Sequence, residues 1–88
     1  MSLTIMSHVW KLEAENHTQK LVLLAIADNS NDEGCCWPSI PTISKKCDLT
    51  ERSVTENVVR LEKRGWLKVK RKKGHSSTYH LNLPTPEP

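Results

Sequence analysis

"ISKKCDLTERSV", residues 43–54, sets two lysines, a cysteine and a leucine before a run of hydroxyl and charged residues. Upstream, Ile40, Ile43 and Cys47 recur at i, i+3 and i+7, the spacing of one helical face. Asp48-Leu49 breaks that period. From Thr50 it resumes, with Val54, Val58 and Leu61 at i, i+4 and i+7. Ser39 is the expected N-cap of a helix over 39–47, and Pro41 falls in its first turn, where a missing N–H costs little. Thr50 is the expected N-cap of the next helix. The quoted stretch therefore reads as two short amphipathic helices meeting at a tight turn, with Leu49 pinning the turn to the core.

The flanking segments extend this helix-turn-helix reading. Gly65 ends the helix that began at Thr50. "WLKVKRKKG" (66–74) then alternates Trp66, Lys68, Lys70 and Lys72 with Leu67, Val69 and Arg71, the two-residue period of a strand. "GHSS" (74–77) is turn-forming, and "TYHLNL" (78–83) alternates again, with Tyr79, Leu81 and Leu83 on one side. A basic hairpin directly after the second helix of such a motif is a wing. Before the motif, Thr18 is the expected cap of a helix through "QKLVLLAIADN" (19–29), with Leu21, Leu24, Ala25 and Asp28 sharing a face broadened by Val22, Leu23 and Ile26. "NSNDEG" (29–34) reads as a polar turn closed by a glycine, and "CCW" (35–37) is long enough to pair with another strand.

The fold class expected is α+β, a winged helix. It has a three-helix core, a C-terminal β-hairpin wing and a short strand between the first and second helices. Residues 1–16 read as an N-terminal arm with a short strand whose Trp10 and Leu12 pack on the domain. Residues 17–83 form the domain, and "PTPEP" (84–88) is a proline-rich tail or the start of a linker. No internal repeat is visible.

Eighty-eight residues leave room for one small core, with a stability on the order of 5 kcal/mol. A hydrophobic fraction of 36% beside a charged fraction of 26% fits a folded, soluble chain better than a disordered one. The longest apolar run, Leu21 to Ala27, is far short of the roughly 20 residues that span a bilayer. With no segment resembling a signal peptide, a cytoplasmic location and no membrane partner are expected. Three cysteines, Cys35, Cys36 and Cys47, suit a reducing compartment; without a C-x-x-C pair they give no metal site, and buried thiols are the reading for Cys36 and Cys47. No glycine-rich phosphate loop, nucleophile elbow or spaced carboxylate pair is present, so neither enzymatic chemistry nor a cofactor is expected. Trp10, Trp37, Trp66 and Tyr79 are expected to fill the core, which has no Phe.

Charge is unevenly placed. Residues 1–59 carry five Lys/Arg against eight Asp/Glu, whereas residues 60–88 carry eight against two. Concentrated in "RLEKRGWLKVKRKK" (60–73), the positive charge suggests a polyanion contacted by one edge of the domain.

"TQKLVLLAIADNSNDEGCCWPS" followed by "ISKKCDLTERSVTENVVRLEKRGWLKVKRKKG" resembles the winged helix-turn-helix DNA-binding modules near the N-termini of phage, prophage and plasmid replication proteins. The broader set of similar sequences includes winged-helix transcription regulators. The resemblance covers roughly residues 8–83, and "CWPS", "LTERSV" and "LEKRGWL" are its most specific pieces. Ser44 stands where the family usually has alanine and Asp48 where it usually has glycine in the turn. Glu51 and Glu56 occupy positions where neutral or basic residues are commoner.

With Val54, Val58 and Leu61 inward, Arg52, Glu56, Val59 and Lys63 point outward, Ser53 and Arg60 lie on one flank and Thr55 on the other. A recognition helix contacts base edges mainly through its N-terminal part. Thr50, Arg52, Ser53, Thr55 and Glu56 are thus the candidate groove residues, Arg52 for guanine and Glu56 for cytosine. Lys45, Lys46 and Arg60 are placed near phosphates. In the wing, Lys70, Arg71, Lys72 and Lys73 can reach phosphates or the minor groove, and His75 and Ser76 can add hydrogen bonds at the tip. The expected partner is double-stranded DNA, bound as a homodimer because one recognition helix reads few base pairs. The resemblance implies a replication initiator, which would also engage a replication or regulatory protein. A small winged-helix transcriptional regulator and a protein-interaction module are the alternatives, the latter because Glu51 and Glu56 suit a basic partner.

Overall fold

The structure, a computed structural model, describes residues 3–31, 33–71 and 77–83. Helices α1 (Leu3–Lys11) and α2 (His17–Asn29) precede a two-residue strand β1 (Cys35–Cys36). Helices α3 (Ile40–Cys47) and α4 (Glu51–Arg64) follow, then strands β2 (Leu67–Lys70) and β3 (Thr78–Leu81). The strands form one antiparallel sheet in the order β1-β3-β2. Tyr79 is central to it, opposite Cys36 on one side and Val69 on the other. This is the α+β winged-helix architecture, with the short strand between the first two helices of the trihelical unit α2–α4.

The N-terminal segment differs from the expected arm and strand. It is helical from Leu3 to Lys11. Ile5, Val9 and Leu12 stand at i, i+4 and i+7, a helical period that the His8/Trp10/Leu12 alternation masks. Val9 and Leu12 are buried and Ile5 packs against the core, whereas Trp10 is 62% exposed. Trp10 instead faces Lys20, whose ammonium lies 5.8 Å from the ring centroid and donates to the Trp10 carbonyl at 3.0 Å.

Helix α2 begins earlier than expected. Asn16, not Thr18, is its N-cap, accepting from the Gln19 amide at 2.8 Å while the Thr18 hydroxyl donates to the same Asn16 oxygen at 2.6 Å. Its buried face is also rotated. Gln19, Val22, Leu23 and Ile26 are buried, while Leu21 is 40% exposed and Leu24 only half-buried. In so apolar a helix, hydrophobicity alone does not choose the inward side; contact with α1, α3 and α4 does.

Val22, Leu23, Ile26, Ile43, Val54, Leu61 and Leu67 form the centre of the core, closed by Val9 from α1 and by Cys36, Tyr79 and Leu81 from the sheet. Of the four aromatics expected in the core, Tyr79 is buried there and Trp66 packs against its edge, whereas Trp37, like Trp10, lies at the surface. Trp37 is 61% exposed, and Trp66 is half-buried beneath the Arg64 guanidinium, 3.6 Å from its ring centroid. Proline at 38 and the start of α3 carry the chain away from the sheet after Cys36, leaving Trp37 at the surface.

Candidate nucleic-acid interface

The turn between α3 and α4 is built as expected. Ser39 caps α3, accepting from the Thr42 amide at 3.2 Å. At the other end Asp48 adopts φ 58°, and the Asp48 and Leu49 amides donate to the carbonyls of Lys45 (3.4 Å) and Ser44 (3.0 Å). This is the Schellman closure, completed by an aspartate in the left-handed region and by Leu49 packed against the core. Thr50 then caps α4, its hydroxyl oxygen accepting from the Ser53 amide at 3.0 Å. Gly65, at φ 85°, closes α4 in the same manner and feeds Trp66 into the sheet.

These anchors fix which side of α4 faces outward. Val54, Val58 and Leu61 are buried as expected, joined by Asn57. Arg52, Thr55, Glu56, Val59 and Arg60 are exposed, and Ser53 is half-buried. On that surface Arg52 Nε donates to Glu56 Oε1 at 3.2 Å, one turn apart. Both side chains are well exposed, so the pair holds by no more than about 0.5 kcal/mol and yields readily to a better ligand. Thr55 donates its hydroxyl proton to the Glu51 carbonyl at 2.9 Å. The Thr50 hydroxyl is engaged in capping.

The candidate phosphate contacts fall into two groups. Lys45, Arg60 and Lys70 are exposed and make no ion pair among the described residues; Lys63 and Lys68, outside the sequence-derived set, share that state. Lys46 is paired with Asp28 of α2. Arg71 grips Glu62 of α4 with both terminal nitrogens, at 2.6 and 3.2 Å. The hydrogen bond to Glu62 raises the Arg71 pKa further. Lys72, Lys73, His75 and Ser76 lie outside the described residues.

Arg64 is the cation that sequence reasoning missed. Besides stacking on Trp66, it donates to Gln19 Oε1 and to the Glu13 carbonyl, each at 3.0 Å, tying the end of α4 to the α1–α2 connection. Partners 45 and 51 residues away leave no local signal for this role.

Among the described residues no group of three or more His, Cys, Asp or Glu is arranged to hold a metal, and no helix is long and apolar enough to cross a membrane. Burial, with Cys35 adding a smaller repulsion, pushes the Cys36 thiol up to about 11; burial also raises Cys47.

Residues 16–67 match a family described as a helix-turn-helix domain, a fold that points to DNA binding. The chain is also similar to Protein YmfN of Escherichia coli (strain K12), at 43% identity over 60 residues. That match covers 67% of this chain and 13% of the relative, so the chain spans a small part of the curated protein it matches. With its turn, its capped α4 and its strand-forming wing inside or beside the matched region, the chain belongs to the helix-turn-helix domain family.

Proposed function

We propose that the chain is a binding module, not an enzyme, that engages double-stranded DNA by laying α4 in the major groove with the β2–β3 wing against the flanking backbone. One observation carries this reading. Helix α4 buries Val54, Val58 and Leu61 and turns Arg52, Thr55, Glu56 and Val59 to solvent. Arg60 on the same helix, with Lys45 of α3 and Lys70 of β2 beside it, supplies charge for phosphates. Resemblance to replication-protein modules favours an origin-type duplex and a replication initiator as the parent activity; transcription control is the nearest alternative. Binding as a dimer belongs to the same proposal, since one recognition helix reads few base pairs.

A protein-interaction role is the second reading. It is favoured by Glu51 and Glu56 on the exposed face and by the engagement of Lys46, Arg52 and Arg71 with carboxylates. Fluorescence anisotropy with a labelled random duplex, comparing the chain with Arg60→Glu and Lys70→Glu, separates the two. Duplex binding weakened by the reversals supports the DNA reading. Absence of binding at low salt overturns it in favour of a basic protein partner.

A further inference from the structure

Two i,i+4 rows run along the outward side of α4. Arg52 and Glu56 form one; Thr55 and Val59 form its neighbour. The first row is mutually neutralised by the 3.2 Å pair. In the second, Thr55 donates its hydroxyl proton to the Glu51 carbonyl at 2.9 Å, so the hydroxyl of this exposed residue can only accept, and its methyl is the side chain's apolar group. One turn on, Val59 is 38% exposed, the largest apolar exposure on the helix. Both residues are β-branched and gain nothing in helix propensity over the Glu, Lys and Arg around them. Helix formation does not account for either residue there, and Val59 is only partly covered.

We propose that Thr55 and Val59 form an apolar row that reads thymine methyl groups in the major groove. The C5-methyl of thymine is the one apolar feature on a major-groove base edge, and small apolar side chains are its match. A neighbouring Arg52, released from Glu56, would fix the register of the row by contacting an adjacent base or phosphate. The inference rests on the duplex-binding reading and adds the base that this face prefers.

The test starts from a duplex selected from a random pool by the intact chain. Each thymine is then replaced in turn by deoxyuridine, which removes only the methyl. At one or two positions the loss expected is about fourfold each, the factor carried by burying one methyl-sized group. Val59→Ala and Thr55→Ser, both at exposed sites and checked for folding by circular dichroism, should each bind the thymine duplex more weakly. Each should also lose the penalty for uracil at its own position. Uracil tolerated at every position, or a penalty that survives in both variants, overturns the inference while leaving duplex binding intact. Failure to select any duplex would remove the duplex-binding reading itself, and the inference with it.

Discussion

Arg71, just past β2, and Glu62 in the last turns of α4 are joined through both terminal guanidinium nitrogens, at 2.6 and 3.2 Å. The pair locks the base of the wing to the helix proposed to enter the groove. It also withholds from phosphate a cation that charge patterning assigns to it. Glu62→Gln should therefore release Arg71. The slope of log affinity against log salt should steepen by about 0.9, the contribution of one added phosphate contact. Thermal stability should fall only modestly, by about 1 kcal/mol, because Arg71 is exposed even though Glu62 is half-buried and the contact is bidentate. An unchanged slope would mean that freed Arg71 does not reach the backbone.

The two left-handed helix ends should respond in opposite directions. Nothing lies within 4 Å of a Cβ built at Gly65, so Gly65→Ala costs only its φ of 85°, about 1–2 kcal/mol. Asp48 already bears that cost at φ 58°, and Asp48→Gly should recover part of it. In a domain of this size, a change of 1 kcal/mol shifts Tm by roughly 4–8 °C. Differential scanning calorimetry should show Gly65→Ala falling and Asp48→Gly rising. A fall in both would mean that Asp48 contributes an interaction beyond its backbone geometry.

Cys36 makes stability sensitive to alkali. Its thiol ordinarily ionises near 9.0 and is held neutral to about 11 by burial, with Cys35 adding a smaller effect. Between those values the unfolded chain has lost the proton that the folded one keeps. The unfolded state thus binds fewer protons, and stability falls as pH rises through the window. The contribution is fully present below pH 9 and is lost by about 11, at up to roughly 1.4 kcal/mol per pH unit for one group. Tyr79, raised mainly by burial, adds to the loss at the upper end. Urea midpoints from pH 7 to 11 should be flat and then decline, and Cys36→Ala should flatten the decline near pH 9–10.

Legibility in the sequence followed the range of the interactions. Ser39, Thr50, Leu49 and Gly65 were readable because caps and turns act through neighbours a few residues away. The inward face of α4 was readable because its apolar residues stand out against Glu, Arg and Lys. Helix α2 lacks that contrast, so its apolar sides could not be ranked. Helix α1 is ambiguous in the sequence because Val9, Trp10 and Leu12 fit two periods, and only packing on α2 chooses between them. In the candidate site, spacing identified the outward residues of α4. The couplings of Arg71 to Glu62, Lys46 to Asp28 and Arg64 to Gln19 depend on the assembled fold, and with them the division between free and engaged cations.

The most direct measurement is anisotropy of a labelled random duplex titrated with the chain across several salt concentrations. If about six cations reach phosphates, log affinity should fall linearly with log salt at a slope near −5. Arg60→Glu and Lys70→Glu should each make that slope shallower. No binding at low salt, or binding indifferent to salt, would contradict a domain that lays α4 and a basic wing on DNA.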